Sequence, residues 1–382
     1  MSFDKSLIKV TDYKVLGKLP DPFTFNDGTK VKTREDWQKR RGEIWGPTVE
    51  LQYGTLPPKP EFLEVEPLYY GGNGKINSYR IITGTKEKPV NFTMMVMLPE
   101  EEGKWPAVVS GDLCFPYAFD IAYDKAFTDN NVALVLFNRC ELAHDINTDP
   151  QPRKGQLYDT YPEYDFGALA AWAWGYSRCV DALEQLDIVD MSCIAFTGHS
   201  RGGKTAALAG VLDERAVIVN PNATCAGACG CYRLHVKAIT EDGEELPSET
   251  LDDMTINFPF WLGPKMGEYR YREEELPFDA HYMKALIAPR VLFVSEAASD
   301  MWSNPVGSWV TTMAAKEVYK FLGAEENILW YFRKGYHYQK EEDCLQLVNI
   351  IRHVKFGEPL NDKFFKLPFE EQELIYDWRC PT

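Results

Sequence analysis

The chain has 382 residues, 45% of them apolar and 26% charged, which is the composition of a folded globular protein rather than a disordered one. Its formal net charge of −16 repels phosphate backbones and anionic lipid, so we expect neither a nucleic acid nor a membrane surface as a partner. The sequence has no apolar run long enough to cross a bilayer.

The first ten residues, MSFDKSLIKV, lack the apolar segment of a secretory signal. We therefore expect a cytoplasmic protein, or a secreted one from which a signal has been removed. The nine cysteines have no regular spacing, which indicates mostly reduced thiols. Cys225, Cys229 and Cys231 lack the paired spacing and the histidine of a zinc site, so we interpret them as small buried residues of a tight loop.

Along the chain, residues 1–75 are rich in proline, and we expect them to be irregular apart from an amphipathic stretch at 34–44. From residue 78 onwards, short apolar runs alternate with longer helical patterns. The predicted strands are 79–82, 91–98, 107–110, 132–137, 193–197, 216–220, 290–295 and 328–332. The predicted helices are 166–186, 205–212, 282–287, 305–322 and 344–354.

This alternation predicts an α/β protein with a doubly wound, mostly parallel sheet and helices on both faces. Residues 1–77 then form an N-terminal extension around that core. The charged stretch 232–277 interrupts the alternation, and we expect a cap-like insertion over one end of the sheet, near the active site. We expect residues 1–382 to form one domain.

The strongest motif, Gly198-His199-Ser200-Arg201-Gly202, fits G-x-S-x-G and lies between a predicted strand and a predicted helix. In an α/β-hydrolase this turn raises a serine hydroxyl at the carboxyl edge of the sheet. The following helix supplies the positive end of its dipole and a free N–H for an oxyanion. The motif predicts that Ser200 is a nucleophile.

A serine nucleophile needs a base, which follows it in the chain in this fold. Of the downstream histidines, His281 and His353 lie in helical patterns, whereas His337 lies in a loop after an apolar strand. We therefore predict that His337 is the base. The orienting acid is expected after the strand at 290–295, where Asp300 is our first choice and Glu296 the alternative.

Residues 198–204 (GHSRGGK) resemble the nucleophile segment of the glucuronoyl esterases, which are α/β-hydrolase carbohydrate esterases. Similar segments occur along nearly the whole chain: LPDP at 19–22, GTLP at 54–57, DFGALAAWAWG at 165–175, LPFDAH at 276–281 and APR at 288–290. Members of this family cleave esters of (4-O-methyl-)glucuronic acid. The resemblance implies that Arg201 helps the oxyanion hole, that Lys204 contacts hydroxyls of the uronate and that Trp302 lines the substrate.

In one respect the chain departs from the family. Many members carry the triad acid as Glu after the strand that follows the nucleophile, where this chain has Asn222-Ala223-Thr224-Cys225 and no carboxylate. Other members place the acid later, at a position that corresponds to Asp300. Without a signal, imported oligosaccharides are a better substrate expectation than intact polymer.

We therefore expect a serine esterase that acts on a small or oligosaccharide uronate ester and needs no metal or organic cofactor. The same residues are compatible with an acetyl-xylan or other small-ester hydrolase. The missing Glu at Ala223 also leaves open a catalytically silent sugar-binding relative. The leaving alcohol and the oligomeric state remain open.

Overall fold

The structure, a computed structural model, describes residues 9–148, 153–240 and 242–381. The strands in these ranges are β1 (Asp12–Val15), β2 (Phe62–Gly71), β3 (Ile76–Gly84), β4 (Pro89–Met97), β5 (Ala107–Ser110), β6 (Ala133–Phe137), β7 (Ile194–His199), β8 (Ala216–Asn222), β9 (Leu234–Ile239), β10 (Glu245–Pro247), β11 (Val291–Ala297) and β12 (Ile328–Arg333). The α-helices are α1 (Arg34–Trp45), α2 (Ile121–Thr128), α3 (Gln156–Thr160), α4 (Ala168–Leu186), α5 (Arg201–Leu212), α6 (Leu251–Asn257), α7 (Ala280–Ile287), α8 (Pro305–Leu322) and α9 (Glu341–Phe356).

The central sheet has nine strands in the order β12-β11-β8-β7-β5-β6-β4-β3-β2. The six strands from β12 to β6 are parallel to one another, and β4, β3 and β2 continue the sheet in antiparallel pairs. β5, β6 and β7 are almost entirely buried, as expected of parallel strands covered on both faces.

Helices cover both faces of this sheet. One face packs under α4, α5, α7 and α8, and its core includes Leu183, Leu208 and Val310. The other face packs under α2 and α9, through side chains such as Phe127 and Leu347. The predicted α/β-hydrolase architecture is confirmed, and each predicted strand and helix is present with ends that differ by a few residues.

The prediction of irregular chain up to residue 75 is wrong for β2, which pairs with β3 along its whole length. Prolines at 57, 58 and 60 precede this strand and Pro67 lies within it, and prolines at these positions favour irregular chain. The structure accommodates Pro67 at a register irregularity on an edge strand, where a missing N–H breaks no interior pairing. The rest of the extension packs on the main core through Leu19, Phe23 and Trp37.

The stretch at 232–277 contains β9, β10, α6 and short turns, and β9 pairs with β1 and β10 in a second, antiparallel sheet. Although this stretch is charged, Tyr232, Met254 and Trp261 are buried in the same core as the central sheet. Its side chains therefore reach the carboxyl edge of that sheet. At that edge β7, β8, β11 and β12 are neighbours, so the residues that follow them come together in space.

Candidate active site

The turn from β7 to α5 is sharp and sterically restricted. Ser200 has φ +56° and ψ −122°, a left-handed conformation that a non-glycine residue adopts only where the surroundings enforce it. Its N–H donates to the carbonyl of Asn222 at 2.9 Å. A Cβ at Gly198 would lie 2.4 Å from the Gly202 carbonyl oxygen, and one at Gly202 would lie 2.1 Å from a carboxylate oxygen of Asp112. Both flanking glycines are therefore required by close packing.

His337 and Asp300 are hydrogen-bonded to each other. Nδ1 of His337 lies 2.7 Å from Oδ2 of Asp300, although the two residues come from the loops after β12 and β11. Ser303 also donates to this carboxylate, through its N–H at 3.3 Å and through its hydroxyl. Because a carboxylate only accepts, Nδ1 of His337 carries its proton and Nε2 is left with a free lone pair.

Glu296, the alternative acid, is fully buried and does not contact the imidazole. Its Oε1 accepts from the Ser308 hydroxyl at 3.0 Å, and its Oε2 has no hydrogen-bond partner in the described structure. Burial, followed by the negative charge of Asp300, raises the pKa of Glu296 well above its ordinary value. A carboxyl that faces Ser308 instead of the imidazole cannot orient His337.

His199 directly precedes Ser200 in the turn from β7 to α5, called the elbow below, and its ring lies beside that of His337. Its ring centroid is 4.6 Å from that of His337, and its Nδ1 lies 2.7 Å from Oδ1 of Asn222. Burial, followed by the proximity of His337, lowers the pKa of His199 to about 3, so this ring is neutral in the working range of an esterase. The described structure has no hydrogen bond between the Ser200 hydroxyl and His337, a contact that often forms only when substrate is bound.

Arg201 turns its guanidinium towards Asp145. Nη1 lies 3.0 and 3.1 Å from the two carboxylate oxygens, and the guanidinium carbon lies 4.8 Å from the ring of Phe258 and 4.6 Å from that of Trp261. Nε is buried and has no hydrogen-bond partner in the described residues. Arg201, the residue predicted to stabilise the oxyanion, is therefore firmly held through Nη1, and its Nε–H has no protein acceptor.

Lys204, which the resemblance places against the uronate hydroxyls, is enclosed by protein. It is 1% exposed, and Nζ donates to the carbonyls of Thr224 and Ala226 and to Oε2 of Glu249, each at 2.5 Å. The turn after β8 and Glu249, two residues before α6, enclose it. Burial raises the pKa of Glu249, and the Lys204 ammonium opposes that rise. Contact of Lys204 with a uronate stays a prediction.

Trp302 is 37% exposed and lies in the short helical turn Met301–Ser303 that directly follows Asp300. Its carbonyl accepts from the N–H of Glu249 at 3.0 Å. The indole is therefore available to a ligand close to the histidine–aspartate pair.

Sequence reasoning missed several buried polar residues at this edge. Asp112 follows β5, and Arg139 follows β6; both are completely buried and paired with each other. Asp112 also accepts the N–H of His199 at 2.8 Å. A charged residue directly after a buried central strand is the signal that would have indicated each of them.

In the described ranges, no group of three or more His, Cys, Asp or Glu side chains has the arrangement of a metal site. Cys225, Cys229 and Cys231 are buried free thiols, as the sequence interpretation expected. Among the helices that the structure describes, none is long and apolar enough to cross a membrane.

Residues 81–323 match the family model described as "Glucuronyl esterase, fungi". The chain is 31% identical over 318 residues to a 4-O-methyl-glucuronoyl methylesterase of Podospora anserina, an alignment that covers 82% of this chain and 62% of that protein. The fold matches a carbohydrate esterase family 15 glucuronoyl esterase from Caldicellulosiruptor kristjansonii with a TM-score of 0.82 and 29% identity, over 96% of this chain and 98% of the other.

A mutant glucuronoyl esterase from Sporotrichum thermophile, solved in complex with methyl 4-O-methyl-β-D-glucopyranuronate, matches with a TM-score of 0.73 and 25% identity, over 94% of each chain. The chain spans less than two thirds of the Podospora protein, and its match to the family model covers well over half of its own length. On these similarities, the chain belongs to the glucuronoyl esterase family.

Proposed function

We propose that this protein is a serine carbohydrate esterase that hydrolyses esters of glucuronic or 4-O-methyl-glucuronic acid, on a small molecule or an oligosaccharide. The observation that carries the proposal is the 2.7 Å contact between His337 and Asp300, beside the strained turn at Ser200. The names of the relatives and the uronate ester bound to the Sporotrichum protein support the substrate class.

In the acylation step, the Ser200 hydroxyl oxygen attacks the ester carbonyl carbon while Nε2 of His337 removes its proton. Asp300 accepts from Nδ1 throughout, which fixes the ring and stabilises the imidazolium that forms. The C–O bond to the alcohol then breaks, and the imidazolium returns the proton to the departing alkoxide oxygen. Water attacks the acyl-enzyme by the same route and releases the free uronic acid.

Negative charge develops on the carbonyl oxygen in both steps. We propose that it is met by the backbone N–H of Arg201, at the N-terminus of α5, and by the Arg201 guanidinium. The fixed position of that guanidinium, held by Asp145 directly after Ser200, supports this role, because a preorganised donor costs no reorganisation when the charge develops. Trp302 then offers its exposed face to the sugar, whereas Nζ of Lys204 is already bonded to Thr224, Ala226 and Glu249.

The proposal is tested by initial rates on methyl glucuronate and on acetylated xylose with the wild type, Ser200→Ala and Ser192→Ala. Ser192 is an exposed serine with no contact to the site and serves as the matched control. We expect hydrolysis of the glucuronate by the wild type and the control, and a loss of several orders of magnitude for Ser200→Ala. A fluorophosphonate should label the wild type and the control but not Ser200→Ala.

A much higher kcat/KM on acetylated xylose would overturn the uronate assignment in favour of an acetyl-esterase. Uronic acid binding without any hydrolysis by the wild type would instead identify a sugar-binding relative. Fluorophosphonate labelling of Ser200→Ala would show that another residue is the nucleophile.

A further inference from the structure

The carboxylate of Asp145 accepts hydrogen bonds from two separate parts of the chain and is ion-paired with a third. Arg201, at the start of α5, contributes Nη1 at 3.0 and 3.1 Å, and Trp261, from the 232–277 stretch, contributes its indole N–H at 3.2 Å. Arg139, after β6, places Nη2 at 3.7 Å. The Asp145 side chain is 8% exposed, so these contacts are shielded from water. A shielded carboxylate that accepts from two side chains and is ion-paired with a second arginine is a rigid anchor.

Aromatic rings fix the plane of the same guanidinium. The rings of Phe258 and Trp261 are stacked with an interplanar angle of 4° and centroids 3.8 Å apart, and the guanidinium carbon of Arg201 lies within 4.8 Å of each centroid. A guanidinium that packs against two aromatic rings and is hydrogen-bonded through Nη1 has little rotational freedom. Asp145 therefore sets the position of Arg201, and the two rings set its orientation.

Ion pairs and a hydrogen bond connect Asp145 to the backbone of His199, the residue on the other side of Ser200. Arg139 pairs with Asp112, and Asp112 accepts the N–H of His199 at 2.8 Å. Arg139 itself lies between the rings of Phe115 and Trp172, with its guanidinium carbon 4.5 and 4.9 Å from their centroids. The ladder Asp112–Arg139–Asp145–Arg201 thus begins at the backbone of the residue before Ser200 and ends on the side chain of the residue after it.

These contacts occupy Nη1 of Arg201 and leave its buried Nε–H without a protein partner. We propose that Asp145, assisted by Trp261, is a positioning residue that holds the Arg201 guanidinium where it meets the oxyanion. The inference rests on the proposed function, because it assumes that Arg201 stabilises the oxyanion there. The four charges of the ladder sum to zero, so Arg201 is held without excess charge in the buried site.

A double-mutant cycle of Arg201→Ala, Asp145→Asn and their combination tests the inference, with kcat and KM measured on methyl glucuronate and on p-nitrophenyl acetate. Loss of an oxyanion donor lowers kcat by about 10²–10³-fold, which we expect for Arg201→Ala. A misplaced donor retains part of its effect on the rate, so we expect Asp145→Asn to lower kcat by about 10–100-fold with little change in KM. The double variant should match Arg201→Ala alone.

Two further variants keep the result interpretable. Trp261→Phe retains the stacked ring and removes only the N–H donor to Asp145, so we expect a smaller fall in kcat that also vanishes in the Arg201→Ala background. Asp181→Asn removes an acid that pairs with Arg178 and Arg215, at 2.7 and 2.8 Å, and controls for loss of a carboxylate away from the elbow.

Equal losses from Asp145→Asn in both backgrounds, or a loss confined to KM, would overturn the inference. If the wild type does not hydrolyse methyl glucuronate, the proposed function is wrong. The double-mutant cycle can still be measured on p-nitrophenyl acetate, whose hydrolysis forms an oxyanion at the same place. The two failures are therefore distinguishable.

Discussion

Asp300 Oδ2 and His337 Nδ1 lie 2.7 Å apart across the loops that follow two neighbouring parallel strands. Parallel pairing of β11 with β12 brings the ends of these strands to the same edge, so residues 37 positions apart in sequence share a hydrogen bond. Glu296, near the end of β11, instead faces the interior and is bonded to Ser308.

This geometry predicts different effects for two isosteric substitutions. Asp300→Asn keeps the shape but replaces the acceptor that holds Nδ1–H, so we expect kcat to fall by about 10³–10⁴-fold. Glu296→Gln replaces a carboxyl that is bonded to Ser308 and does not contact His337, and burial raises the pKa of that carboxyl, so we expect kcat to stay within a few-fold of the wild type. Steady-state rates on methyl glucuronate at pH 7 check both. A larger loss from Glu296→Gln would transfer the acid role to that residue.

The packing beneath the elbow predicts opposite effects of the same substitution at two helical glycines. A Cβ at Gly202 would lie 2.1 Å from a carboxylate oxygen of Asp112, which cannot move because Arg139 and Tyr117 hold it. We expect Gly202→Ala to destabilise the fold by about 1–3 kcal/mol and to abolish most activity.

Gly42, in α1, has no atom within 4 Å of its ideal Cβ position. Gly42→Ala should therefore stabilise the protein by about 0.5–1 kcal/mol and leave kcat unchanged, since alanine loses less backbone entropy in a helix. Urea unfolding of both variants measures the contrast. Equal destabilisation by both would mean that the contact with Asp112 is not the cause.

The enclosed Lys204–Glu249 pair predicts a large effect on stability. Lys204→Met leaves the 3%-exposed Glu249 carboxylate buried without its cation, which costs about 3–5 kcal/mol. Adding Glu249→Gln removes the unpaired charge and should restore part of the loss. The surface pair Lys366–Asp362 is the control, because Lys366→Met should change the unfolding free energy by less than about 1 kcal/mol. A small effect of Lys204→Met would mean that solvent reaches the pair.

The candidate catalytic residues could be predicted because each follows an apolar strand that the local sequence alone reveals. Ser200, Asp300 and His337 come after β7, β11 and β12, and the sheet topology that brings them together follows from the alternation of strands and helices. Local patterns of this kind carry the main features of the fold.

The partners of these residues could not be predicted, because they depend on contacts between distant segments. Lys204 reads as an exposed helical lysine until Glu249, 45 residues later, is known to cover it. Asp145 lies 56 residues before Arg201, in a loop without a motif. β2 was missed for the opposite reason, since its local proline signal is overruled by pairing with β3.

The burial of His281 predicts how stability depends on pH. Its Nε2 donates to the carbonyl of Pro20 at 2.9 Å, and burial lowers its pKa to about 4, against the opposing effect of Asp279. The imidazole of an unfolded chain titrates near 6.5. Between about pH 4 and 6.5 the unfolded state therefore binds one more proton, and the unfolding free energy should fall by up to about 1.4 kcal/mol for each unit that the pH is lowered.

His281→Gln should remove this part of the slope, and urea unfolding from pH 4.5 to 7.5 measures it. His353→Gln, at an exposed imidazole, is the matched control and should keep the wild-type slope. Parallel curves for the wild type and His281→Gln would mean that folding does not depress the pKa of this histidine.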